Sequence, residues 1–154
     1  MTGPHFTAAE YNIRLAALRT RMAACGVELF LLSSPENIFY LTGLDHWGYF
    51  SPHILMVPAE GGLVLATRAM ERVTVANQVK NARFEGHGDH ETVADAAGRV
   101  MRINGGWPAR VGIEAWSAGL PQGLAVALQR QGRPSLRRIP GSCPFLRGLE
   151  PFSK

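Results

Sequence analysis

Between Leu44 and His53 the chain crowds Asp45, His46, Trp47, Tyr49, Phe50 and His53 into ten residues. Imidazoles and a carboxylate can exchange protons or hold a cation, and aromatic rings supply flat apolar walls. No other stretch combines both kinds of group so densely. Two readings stand side by side. Trp47 and Phe50 fold back over a sheet edge as core, or the loop is presented to a partner subunit or a substrate.

Other candidates for chemistry are weaker. His87-Gly88-Asp89-His90 is the only local cluster of metal-ligand types. A metal centre needs three or four converging donors, and no second cluster completes this one. Asp89 is expected to cap the helix that follows, which leaves a polar turn. Cys25 closes an apolar helical stripe, with nothing nearby to lower its pKa, and is read as core rather than nucleophile. There is no Gly-x-Ser-x-Gly elbow, and Ser33 and Ser34 before Pro35 read as helix caps. Gly105-Gly106 falls at a helix exit, the wrong pole for a phosphate. No catalytic residue and no metal ligand is therefore assigned.

The elements that must position the loop follow from periodicity and punctuation. Thr7-Ala8-Ala9-Glu10 is a capping box, after which Tyr11, Leu15, Leu18, Met22 and Cys25 recur at helical spacing until Gly26 supplies a left-handed cap. Residues 28–33 are a nearly continuous apolar run, as in a strand buried on both faces. A short helix from Pro35 comes next. Residues 53–58 and 62–67 then read as an antiparallel hairpin around Ala59-Glu60-Gly61. A helix over 69–77, an edge-like strand over 83–86 and a helix from Asp89 to about Ile103 follow. That last helix turns Val93, Ala96, Ala97, Val100 and Met101 inward. A strand over 110–115, a helix after Pro121 bearing Leu124, Ala127 and Leu128, and a strand over 136–139 complete the order. Alternating strands and helices define an α/β domain, and the hairpin makes its sheet mixed.

Composition narrows the function classes. With 154 residues, 46% apolar and 18% charged, the chain suits one globular domain. No apolar run approaches the roughly 20 residues of a bilayer span, and the first residues lack signal-peptide character. The two cysteines, Cys25 and Cys143, form no Cys-x-x-Cys pair, so a reduced cytoplasmic protein is expected. The net charge is +4, but it comes from scattered Arg without interleaved aromatics, which argues against nucleic acid.

Ser34-Pro35-Glu36-Asn37-Ile38-Phe39-Tyr40-Leu41-Thr42-Gly43 after the strand Leu29-Phe30-Leu31-Leu32, with Val57-Pro58, Gly62-Leu63-Val64-Leu65 and Arg110-Val111-Gly112-Ile113-Glu114 downstream, resembles the N-terminal domain of the creatinase/prolidase/aminopeptidase P family over roughly residues 8–140. The aromatic loop looks most like the creatinase and ectoine-hydrolase branch. The resemblance implies a mixed sheet flanked by helices, of ribonuclease H-like topology, without ribonuclease activity. It implies a hydrolase parent, either a dinuclear-metal Xaa-Pro peptidase or a metal-free creatinase-like enzyme. It also implies a homodimer in which Asp45, His46, Trp47 and Tyr49 wall the partner's active site. The metal ligands of such enzymes, for manganese, cobalt or zinc, belong to a C-terminal domain. Residues 1–140 are accordingly expected as the N-terminal-like domain, and 141–154 as a linker toward a catalytic domain that this chain lacks. The expected role is a non-catalytic accessory domain for dimerisation and substrate gating. The alternative is a free-standing module that binds a small molecule or peptide through the 44–53 loop.

Overall fold

Four consecutive apolar residues, Leu29–Leu32, form the central strand β1, and every one of them is buried. Burial on both faces is what a continuous run requires, since side chains alternate sides along a strand. Phe30 and Leu32 point into one apolar layer, Leu29 and Leu31 into the other. In the computed structural model, which describes residues 5–46, 50–114 and 117–132 and the backbone of 136–138, the sheet has six strands in the order β4-β3-β2-β1-β5-β6.

Strand β2 (Ile54–Pro58) lies antiparallel to β1, and β3 (Leu63–Arg68) lies antiparallel to β2. The edge strand β4 (Ala82–His87) runs parallel to β3. On the other side β5 (Val111–Ile113) runs parallel to β1, and β6 (Leu136–Arg138) parallel to β5. The sheet is mixed as expected, with ribonuclease H-like order across β3-β2-β1-β5-β6 and β4 added at one edge.

Helices cover both faces. Helices α1 (Ala8–Ala24), α2 (Pro35–Thr42) and α3 (Arg72–Gln78) close the layer built on Phe30, Leu32, Leu55, Val57 and Leu65. Helices α4 (Val93–Ile103) and α5 (Gln122–Arg130) close the opposite layer against Leu31, Ile54, Met56 and Val111. The capping box at Thr7 and Glu10 forms as the sequence predicts. None of the described helices is long and apolar enough to cross a membrane.

Three local expectations need correction. The cap of α4 is Thr92, in a capping box with Asp95. Asp89 lies upstream and pairs instead with Arg68 at 2.5 Å. Residues 69–71 form a 3-10 turn before α3, because the helical ladder begins only at Arg72. Cys25 is the exposed C-cap of α1 rather than core.

The segment that opens the loop is held by Glu114. This carboxylate, only 3% exposed, follows β5 and accepts the backbone amides of Ser33 and Ser34 at 2.5 and 2.7 Å. It also accepts the side-chain amide of Asn37. Ser34 in turn caps α2 through the amide of Asn37. A buried carboxylate is tolerable only with its lone pairs filled, and these donors fill them.

Candidate functional site

The loop leaves α2 through a rigid exit. Gly43 takes a left-handed conformation (φ 77°), which glycine alone adopts without strain. The Thr42 hydroxyl receives the amide of Leu44, and the Asp45 amide donates to the Gln78 side chain at 2.7 Å. From the far side, the Asn81 side chain donates to the Leu41 carbonyl. Asp45 is thus placed by α3, although its own side chain stays exposed.

The re-entry is fixed by the hairpin register. Ile54 pairs with Ala66, so one step further His53 falls opposite Thr67. His53 is 3% exposed and Thr67 fully buried. His53 Nδ1 lies 2.7 Å from Thr67 Oγ1, and His53 Nε2 lies 2.8 Å from His46 Nδ1. His46 Nε2 reaches Glu71 Oε2 at 3.3 Å. The carboxylate end sets the polarity of this chain. Glu71 only accepts, so His46 Nε2 carries a proton; while that ring is neutral its Nδ1 accepts. His53 Nε2 then donates to His46, and the Thr67 hydroxyl donates to His53 Nδ1. One proton on each ring satisfies every link.

Burial holds His53 neutral. Its pKa is lowered to about 4, first by desolvation and then by the neighbouring His46. A charged imidazole here would lose its hydration and could no longer accept from Thr67.

The two ends of the loop therefore differ sharply. His53 is sealed beneath β2 and β3, whereas the Phe50 ring three residues earlier is 92% exposed. Phe50 does not fold back as core. Trp47 and Tyr49 lie outside the described residues. A cleft of about 650 Å³ opens beside the loop, lined by Asp45, His46, Phe50, Arg68, Met70 and Glu71 among others. Of the residues singled out from sequence, the structure brings Asp45, His46 and Phe50 to this cleft and places His53 behind them.

Sequence reasoning missed Thr67, Arg68 and Glu71. A polar Thr at the end of an apolar strand opposite His53 is a readable signal once the hairpin is registered. Glu71 sits on the 3-10 turn and gives no such signal. His87, Asp89 and His90 do not converge on a cation. Among the described residues no group of three or more His, Cys, Asp or Glu could hold a metal.

Comparison with known proteins places this architecture. The family model for the creatinase/prolidase N-terminal domain matches residues 14–140. The chain belongs to that family. Its fold is similar to the N-terminal domain of an X-Pro dipeptidase from Streptococcus pyogenes, with a TM-score of 0.72, 21% identity, and coverage of 89% of this chain and 98% of that one. A prolidase from Thermococcus sibiricus aligns with a TM-score of 0.71 and 18% identity over 88% of this chain, but only 36% of its own. Among curated proteins, an ectoine hydrolase of Halomonas elongata is 36% identical over 66 residues, which is 43% of this chain and 16% of the relative. An uncharacterized hydrolase/peptidase of Sinorhizobium fredii is 38% identical over 53 residues, 34% of this chain and 14% of its own. The matches thus span a small part of these curated relatives.

Proposed function

We propose that this domain is a non-catalytic accessory unit of a creatinase/Xaa-Pro peptidase-like hydrolase, serving dimerisation and substrate gating through the loop from Asp45 to His53. The observation that carries this reading is the contrast along the loop: Phe50 is 92% exposed while His53 is 3% exposed. An exposed aromatic ring on a loop whose far end is buried and hydrogen-bonded supports a contact role for that loop. The partners in this reading are a second copy of the chain and a C-terminal catalytic domain. The described residues do not supply the donor set of a dinuclear centre, and the proposed role uses no metal.

The test is sedimentation velocity over a concentration series. A concentration-dependent dimer, shifted toward monomer by Phe50→Ser, is expected; monomer throughout overturns the dimerisation role. In parallel, the chain should hydrolyse neither Xaa-Pro dipeptides nor creatine, with or without manganese. Metal-dependent turnover by pure protein would remove the word non-catalytic.

The cleft beside His46 and Glu71 favours a second reading, a module that binds a small molecule or peptide there. Saturable thermal stabilisation by one member of a panel of amino acids, dipeptides and guanidino compounds, abolished in Glu71→Ala, would support it over the accessory role.

A further inference from the structure

The hydrogen-bonded chain from Thr67 through His53 and His46 to Glu71 has one end inside the sheet and the other in the cleft. Thr67 is fully buried and His53 nearly so, whereas the His46 side chain is 30% exposed and lines the cleft. The two rings meet nitrogen to nitrogen, His53 Nε2 lying 2.8 Å from His46 Nδ1. With both rings neutral, one N–H faces one lone pair at that contact.

The surroundings decide which ring charges first. Among the described residues, the charged groups that share the cleft with His46 are Glu71 on the 3-10 turn, Asp45 just before it in the chain and Arg68 at the end of β3. Arg68 is engaged by Asp89, and Glu71 reaches His46 Nε2. His53 faces the Thr67 hydroxyl and the other imidazole, and burial lowers its pKa to about 4. The first proton taken by the pair therefore goes to His46.

That proton reverses the contact. A charged His46 carries N–H at both nitrogens and can no longer accept. If His53 kept its Nε2 proton, two donors would face each other out of reach of water, and neither would be satisfied. The contact survives only when His53 gives its Nε2 proton to water and takes one from water at Nδ1. The pair then holds one proton more than before, and His53 is still neutral. Its Nε2 accepts from His46, and its Nδ1 donates to Thr67 Oγ1. A hydroxyl suits this position because it can donate in one state and accept in the other. A second proton, on His53 itself, would leave two N–H groups opposed, with no tautomer to relieve them.

We propose that His53 is a tautomer switch set by the charge of His46, so that the loop stays latched to the sheet in both charge states of the exposed ring. The latch opens only when both rings are charged. This goes beyond the gating role and holds whether or not the loop meets a partner.

The experiment follows the imidazole nitrogens of the full chain, labelled with ¹⁵N, by two-bond proton–nitrogen spectra from pH 8 to pH 5. At the upper end His53 should show a protonated Nε2 and a bare Nδ1. As His46 titrates, His53 should exchange to the opposite pattern with the same midpoint, without becoming doubly protonated. Glu71→Gln removes the facing charge and keeps the shape. It should move both events together to lower pH, by about half a unit for a partly exposed pair. His46→Gln removes the trigger, and His53 should then keep one pattern across the range. A His53 pattern that stays fixed while His46 titrates overturns the proposal. Double protonation of His53 in the same step overturns it too, as does a pattern exchange that persists in His46→Gln or parts from the His46 midpoint in Glu71→Gln.

Discussion

The carboxylate of Glu114 accepts the side-chain amide of Asn37, 77 residues earlier in the chain, in a half-buried contact that joins the end of β5 to the first turn of α2. The same carboxylate takes the amides of Ser33 and Ser34. Loop position thus depends on a side chain far from the loop: Glu114 fixes α2, α2 fixes Gly43, and Gly43 aims Asp45 and His46.

Replacing Glu114 with Ala should leave five donors, the amides and hydroxyls of Ser33 and Ser34 and the side-chain amide of Asn37, without this acceptor in a buried to half-buried setting. A loss of about 3 kcal/mol is expected, each orphaned buried group costing about 1–3 kcal/mol before relaxation. Glu114→Gln keeps the shape but turns one oxygen into a donor facing donors, and should lose nearly as much. Urea unfolding monitored by far-ultraviolet circular dichroism measures both. A loss under about 0.5 kcal/mol, typical of a neutral surface change, would show that the clamp contributes little.

Gly43→Ala should destabilise by about 2 kcal/mol through two separable effects. One is the left-handed φ of 77°, costing a non-glycine residue about 1 kcal/mol. The other is overlap of the new methyl group with the Tyr11 hydroxyl. Adding Tyr11→Phe removes the second effect and not the first. The double variant should therefore recover part of the loss in a double-mutant cycle. Strict additivity would mean that the helix exit simply moves aside.

Acid should weaken the fold through His53. Its folded-state pKa of about 4 lies below the ordinary histidine value of 6.5, so the unfolded chain binds the extra proton between those values. Stability from this group is therefore complete above about pH 6.5 and declines as pH falls toward 4. Between about pH 7.5 and pH 5 the expected loss is about 2 kcal/mol. His53→Asn should flatten that part of the profile whatever its effect at neutral pH. An unchanged slope in the variant would assign the acid sensitivity to other groups.

Phe50→Ser should leave the unfolding midpoint nearly unchanged, within about 0.5 kcal/mol, because the ring is exposed. Its effect should appear in association instead. A large stability loss would show that the ring is packed in solution, contrary to its placement here.

The order of elements was legible because the hydrophobic pattern changes period cleanly. Residues 29–32 are continuous and buried on both faces, while α4 carries Val93, Ala96, Ala97, Val100 and Met101 on its buried face. The start of α4 was misread at Asp89, although Thr92-Val93-Ala94-Asp95 holds the better signal, a cap residue with an acid three positions on. Asp89 was already engaged by Arg68, a partner that only the pairing of β3 with β4 brings close. Within the candidate site, the His53 to Thr67 contact follows from hairpin register, and so was available in principle. The link from His46 to Glu71 was not, because it depends on how a 3-10 turn folds beneath the loop. Asn37 and Glu114 were visible as members of one motif. Their bond is visible only once Leu31 pairs with Ile113, which brings residue 114 alongside Ser33.

Strands β1 to β4 are complete by His87, whereas β5 and the acceptor behind it arrive only with residues 111–114. During synthesis the amides of Ser33 and Ser34 must wait for the ribosome to release Glu114. Until then one long side of β1 is an open edge, able to take up any passing extended peptide. A nascent chain stalled before that point is the form of this protein most in need of a chaperone.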